Sequence, residues 1–215
     1  MAKLLKNGLM SGKIGSLVYY VINGKQYVRN YVIPDNPNTP AQHRHRTKIK
    51  VCGKFISKFK TAILVGYQGF PTGEAFSEAM KYHMANAMED TTPHNSVDPT
   101  FKLIPEKIVL SVGIVQAPEI TTCSRNGRII ELTWNPTLGH VPNRHTDALA
   151  VIAFIEGKKA FTNFYTGTRD DGTGKVMLPF DFHEPVHLWT FYWNGQKSEE
   201  RNKENVSDSI YLGSF

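Results

Sequence analysis

Apolar and polar positions follow two different rhythms along this chain, and the change of rhythm divides it. The first apolar run, Ile14 to Ile22, is rich in β-branched and aromatic residues, with Val18, Tyr19, Tyr20, Val21 and Ile22 in succession. Asn23-Gly24 follows, a pair suited to the positive φ angles of a type I′ turn. A second run then returns through Tyr27, Val28, Tyr31, Val32 and Ile33. Residues 14–33 are therefore predicted to form a β-hairpin, with Gly8, Gly12 and Gly15 as a flexible or closely packed lead-in.

Beyond the turn cluster Pro34-Asp35-Asn36-Pro37-Asn38 the rhythm becomes helical. Thr39-Pro40-Ala41-Gln42 joins an N-cap threonine, a proline at the first helical position and a glutamine at the third. The helix it starts should run over about 40–64. Cys52, Phe55, Ile56, Phe59, Ala62 and Ile63 share one face, with Ile49 at its margin. Arg46, Lys50, Lys54, Lys58 and Lys60 spread over the opposite face. Gly53 costs this helix up to about 1 kcal/mol against alanine, which predicts tight packing or a bend. Gly66, Gly69 and Pro71 break it, and a second helix over about 74–88 carries Phe76, Met80, Met84 and Ala87 on one side. The polar stretch Asp90 to Thr100 is the predicted domain boundary.

From Leu103 onward the pattern is all β. Candidate strands are Lys107–Val112, Ile120–Arg125, Arg128–Trp134, Ala148–Glu156, Lys159–Tyr165, Lys175–Leu178, Val186–Trp193 and Ser209–Leu212. Turn signals at Asn126-Gly127, Glu156-Gly157, Asp171-Gly172 and Asn194-Gly195 separate them. Strands of this length and spacing predict an antiparallel sandwich of the immunoglobulin or fibronectin type III kind. The predicted fold class is α+β: a module over 1–100, made of the hairpin and a helical hairpin, followed by a β-sandwich over 101–215.

Charge sharpens the division. Residues 1–60 hold 12 Lys and Arg against one acid, Asp35, whereas residues 61–215 hold 13 basic residues against 18 acids. A field that lopsided favours nucleic acid, an anionic surface, or the acidic part of a neighbouring copy. Arg29, Arg44, Arg46, Lys50, Lys54 and Lys58 are the candidate contacts with such a partner, and Arg29 lies among Tyr19, Tyr20, Tyr27 and Tyr31. A solvated basic face and simple cross-strand aromatic pairing explain the same residues. No stretch approaches the roughly 18–20 apolar residues that span a bilayer, so no membrane partner is expected. The N-terminus lacks the apolar core of a signal peptide, so the expected location is cytoplasmic or virion-associated. Cys52 and Cys123 have no neighbouring ligand pattern and are read as unpaired thiols.

Motifs with the letters of catalysis fail on spacing. His183-Glu184-Pro185-Val186-His187 matches the zinc-protease pattern, but Pro185 sits inside the turn that would bring the histidines together. On a strand they would stand about 13 Å apart. His43 and His45, at i and i+2 on a helix, do not face each other. His140 and His145 lie in a long loop. Asp170-Asp171-Gly172-Thr173-Gly174-Lys175 carries pieces of a calcium loop and a phosphate loop and completes neither; a hairpin loop accounts for it. No G-x-S-x-G elbow is present. No catalytic residue, metal ligand or cofactor is expected.

Three segments carry a resemblance: Gly12-Lys13-Ile14-Gly15, the run Asn36-Pro37-Asn38-Thr39-Pro40-Ala41-Gln42 with Arg46, and Ser207-Asp208-Ser209-Ile210-Tyr211-Leu212-Gly213-Ser214. In order and length the chain resembles a family of uncharacterised proteins, a domain of unknown function, from Bacteroidota and their mobile elements. The Asn-Pro-x-Thr-Pro-Ala-Gln-x-x-x-Arg run is similar to one in short proteins encoded near phage structural genes. Ile129 to Pro136 resembles the early tryptophan strand of fibronectin type III domains, which implies that Trp134 is a core plug between sheets. Together these imply a non-enzymatic structural or interaction protein, a phage- or prophage-derived virion assembly component that forms a homo-oligomer or larger assembly. The alternative is a cytoplasmic nucleic-acid-binding protein that uses the basic helix 40–64.

Overall fold

In a computed structural model, which describes residues 3–33, 35–71, 73–94, 96–136, 143–181, 183–195 and 203–215, Asn23 and Gly24 take φ angles of 49° and 76°. That double positive φ is what a type I′ turn needs. It joins β3 (Leu17–Ile22) to β4 (Lys25–Asn30). The glycine-spaced lead-in is itself strand: β1 (Lys3–Leu4) and β2 (Met10–Ile14) extend the hairpin to an antiparallel sheet in the order β1-β2-β3-β4. Gly8 and Gly15, at φ 78° and 58°, make the two turns that the extra strands require. This sheet belongs to a compact unit of its own, Met1–Thr39, and among its described residues none is buried.

The second unit is Pro40–Phe215. Proline at the first position opens α1 (Pro40–Ile56), which passes through a three-ten turn at Ser57–Phe59 into α2 (Lys60–Gly66). α3 (Ala75–Asn86) packs back along them. The polar connector then closes a small hairpin, β5 (Met88–Asp90) with β6 (Phe101–Leu103). Seven further strands follow: β7 (Ile120–Asn126), β8 (Ile129–Trp134), β9 (Ala148–Phe154), β10 (Phe161–Asn163), β11 (Thr173–Met177), β12 (His187–Trp193) and β13 (Ile210–Ser214). They form two antiparallel sheets, β11-β8-β7 and β10-β9-β12-β13, the sandwich that their spacing predicts.

Alternation within β9 explains how helices and sandwich join. Leu149, Val151 and Ala153 face the other sheet, where Ile130, Leu132, Trp134 and Val176 meet them. Ala148, Ala150, Ile152 and Phe154 point the opposite way, into a core shared with Cys52, Ile56, Phe59 and Ile63 of the helices. β12 does the same, with Leu188 and Tyr192 in one core and Trp189, Phe191 and Trp193 in the other. The Phe59 ring stands 5.6 Å from Trp189 and 5.0 Å from Phe154. The body is thus three layers, helices on sheet on sheet. A boundary within 90–100 does not follow: the helices need the back of the β9–β12 sheet to bury their apolar face, and the units divide at Thr39/Pro40.

The segment predicted as a strand at 107–112 is instead a three-ten turn, Pro105–Lys107, and then chain outside any sheet. Its backbone is held by distant partners. Val109 N–H donates to His83 Nε2, Leu110 N–H to Ser209 Oγ and Val112 N–H to Gly66 O, at 3.1, 2.8 and 3.0 Å. With those bonds made, Ile108, Leu110 and Ser111 are buried without a strand neighbour.

Candidate functional site

The N-terminal sheet sorts its side chains by chemistry. Pairing of Lys13 with Val18, Val18 with Arg29, Tyr20 with Tyr27 and Ile22 with Lys25 puts these residues on one face. Tyr31 continues the pattern, its N–H donating to Ser16 O and its ring lying 3.4 Å from Lys13 Nζ. The other face carries Ile14, Leu17, Tyr19, Val21, Gln26, Val28 and Asn30, with no charged side chain. One face is therefore cationic and aromatic, and the other apolar. Ile14 is 47% exposed and Val28 49%, while Leu17, Tyr19 and Val21 are half-buried.

Basic residues of the helix are placed differently. Arg46, Lys50 and Lys54 stand four residues apart in one exposed row along α1, and Lys58 continues the spacing into the three-ten turn. Arg44 pairs with Asp90 and lies over the Phe101 ring at 5.3 Å, so its charge is answered within the body. Lys58 Nζ lies 5.1 Å from the centre of the Phe154 ring. Lys54, Lys58 and Lys102 rim a groove of about 490 Å³ whose floor is Val51, Phe55, Phe101, Leu103 and Phe154. Glu106, Glu156 and His187 share that rim, so it is of mixed sign. Of the six candidate contacts, the structure aligns Arg46, Lys50, Lys54 and Lys58, ties Arg44 to Asp90, and sets Arg29 in the separate N-terminal unit.

Motifs with catalytic letters have structural partners. His187 opens β12 and its Nδ1 is 2.7 Å from the Tyr211 hydroxyl, while His183 lies in the preceding loop. His145 Nδ1 meets Asp170 Oδ1 at 2.5 Å. Asp171 closes a capping box with Thr168, whose N–H and hydroxyl hold its carboxyl below the usual range; Gly172 at φ 65° then turns the chain into β11. Burial pushes the thiols of Cys52 and Cys123 up to about 11, which keeps them protonated at neutral pH. Among the described residues no group of three His, Cys, Asp or Glu side chains could hold a metal ion. His140 lies outside the described residues.

Two buried polar arrangements carry no signal in sequence. His83 is fully buried in α3; since Nε2 accepts from Val109 N–H, Nδ1 carries the proton and donates to Ala79 O at 2.6 Å. Desolvation lowers its pKa and keeps it neutral. Arg169 and Asp147 form an ion pair at 3.5 Å, both nearly inaccessible, with the guanidinium 4.0 Å from the Tyr192 ring centre. Arg169 O accepts from Trp134 Nε1, which seats that ring at the end of the sandwich core. Neither could be found from spacing, because 26 residues separate His83 from Val109 and 22 separate Asp147 from Arg169.

Residues 9–213 match the model of a family of unknown function, DUF6266, and the chain belongs to that family. No curated protein and no solved structure matches it. Among the described residues no helix is long and apolar enough to cross a membrane.

Proposed function

We propose that the protein is a non-enzymatic structural component, of the phage- or prophage-derived kind that its resemblance implies, which assembles with further copies of itself through the apolar face of its N-terminal sheet. The observation that carries this reading is β3. Leu17–Ile22 contains nothing less apolar than tyrosine, as Ala148–Phe154 of β9 contains nothing polar. An unbroken apolar strand is the mark of burial on both faces. β9 is buried at every residue, whereas β3 is at most half-buried.

A second copy suits that face on two grounds. The face bearing Ile14, Leu17, Tyr19, Val21 and Val28 has no charge, so two of them can pack about 10 Å apart without opposing like charges. The excess of basic residues in 1–60 and of acids in 61–215 adds attraction between neighbouring copies. In this assembly the sheet is the joint and the sandwich is the displayed or laterally packed part.

Light scattering behind size-exclusion chromatography tests it. The expected result is one discrete oligomer that persists at high salt, since the joint is apolar and salt weakens only the added charge attraction. Val28→Lys places a charge on the joint and should give monomer, while Ile22→Lys, on the opposite face, should leave the oligomer intact. A monomer for the unaltered chain, or an oligomer indifferent to Val28→Lys, would overturn the reading.

A further inference from the structure

We infer that the cationic face of the N-terminal sheet binds single-stranded nucleic acid, its tyrosine rings stacking on bases while Lys13, Lys25 and Arg29 meet the phosphates. Cross-strand pairing sets Tyr20 beside Tyr27, with ring centres 5.7 Å apart and planes 20° apart. Tyr27 is 44% exposed and Tyr31 46%. Lys25 and Arg29 stand two residues either side of Tyr27 along β4, so cation and ring alternate on one side of the strand. Residues 1–34 contain no Asp or Glu, so no carboxylate of this segment repels an arriving phosphate.

Exposed rings between cations select for an unpaired strand. A single strand offers base faces and phosphates together, whereas a duplex keeps its bases stacked on each other and offers phosphates alone. An acidic protein surface would answer the cations and leave the rings unused. The helix is the weaker site for the same ligand, because Arg44 pairs with Asp90 and Lys54 and Lys58 share their groove with Glu106 and Glu156. The inference does not rest on self-association, since Tyr27 and Val28 lie on opposite faces.

Fluorescence anisotropy of the full chain with labelled oligo(dT) and oligo(U) of about 12 nucleotides tests it, at about 50 mM salt. Single strands should bind more tightly than a duplex of equal length. Tyr27→Ala should weaken binding about 10-fold, and Tyr27→Phe, which keeps the ring, should not. Arg29→Gln should reduce the slope of log affinity against log salt by about 0.7. Absence of binding, or affinity unchanged by Tyr27→Ala, would overturn the inference. So would tighter binding of polyglutamate than of oligo(dT), which points to an acidic protein, or loss on Lys50→Gln with Lys54→Gln alone, which moves the site to the helix. Circular dichroism of Tyr27→Ala, with the Tyr27→Phe result, separates loss of contact from loss of fold.

Discussion

Two antiparallel sheets in this chain use the same kind of strand to opposite ends. β9 and β12 lie at the centre of the body, with helices against one face and a second sheet against the other, and their side chains divide between two cores. β3, Leu17–Ile22, is as rich in β-branched and aromatic residues as either of them, yet no described residue of its unit is buried. Strand propensity is therefore satisfied in both, and what differs is cover. Apolar surface inside the body is consumed by folding. In the N-terminal sheet it is left at the surface, beside cations that no acid within the sheet neutralises, and this is where binding chemistry can reside.

The two sheets should differ most at Trp189. It is fully buried in the helix-facing core, so Trp189→Ala should cost about 3–5 kcal/mol and leave the body unfolded or nearly so. Leu17→Ala, on a half-buried position of β3 in the other unit, should cost the body less than about 1 kcal/mol, measured in the Val28→Lys background where the joint is broken. Urea unfolding followed by tryptophan fluorescence reports the body, where all three tryptophans lie. Equal costs for the two substitutions would show that the sheet is covered after all.

Gly66 gives the next effect. An added Cβ would come within 2.0 Å of Leu110 O, a backbone atom that cannot swing aside. Alanine favours a helix over glycine by about 1 kcal/mol, but crowding of a packed core costs about 1–3 kcal/mol. Gly66 also accepts hydrogen bonds from Val112 N–H and Ser111 Oγ, which the displaced segment would lose. Gly66→Ala should therefore lower the urea midpoint. A raised midpoint would mean that residues 109–112 do not rest on the end of α2.

Much of this frame is legible in the residues, for local reasons. Asn23-Gly24 announces its turn because φ must be positive at both positions, and Thr39-Pro40 announces the start of α1 because proline fits only there. Seven of the eight strands expected beyond Leu103 form, near their predicted limits. The eighth fails because its alternation serves His83, Ser209 and Gly66, none of them a strand neighbour that pattern could reveal. The shared core does have a signal: Ala148 to Ile155 never alternates, as a strand covered on one side would. Alternation along β4 alone puts Lys25, Tyr27 and Arg29 on one face, whereas which residues of β3 join them depends on the register across the turn.

A smaller effect separates the body from the sheet by pH. Neutral His83 accepts from one N–H and donates to one carbonyl, and burial lowers its folded pKa below the unfolded value near 6.5. The unfolded chain then binds the proton first. Its stabilising contribution is complete above about pH 6.5 and declines as pH falls below that, by at most about 1.4 kcal/mol per pH unit for one proton. Urea midpoints between pH 7.5 and 5.5 should fall in the unaltered chain and fall less in His83→Gln. Identical pH dependence in the two would remove His83 as the cause.

The smallest effect tests whether the cations of the first 60 residues really fall into two classes. Arg44 is half-exposed and paired with Asp90, so its removal should cost the body no more than about 1 kcal/mol. Because its charge is already answered, Arg44→Gln should leave oligonucleotide affinity unchanged. Arg29 sits on the exposed face of β4, so Arg29→Gln should lower that affinity and leave the urea midpoint of the body where it was. Each residue carries one positive charge in the same basic segment, and a ligand that sensed only net charge would respond to both alike. Equal loss of affinity from the two substitutions would mean that the asymmetry acts as a diffuse field; loss from Arg29→Gln alone would mean that the sheet face, with its rings, is what the ligand meets.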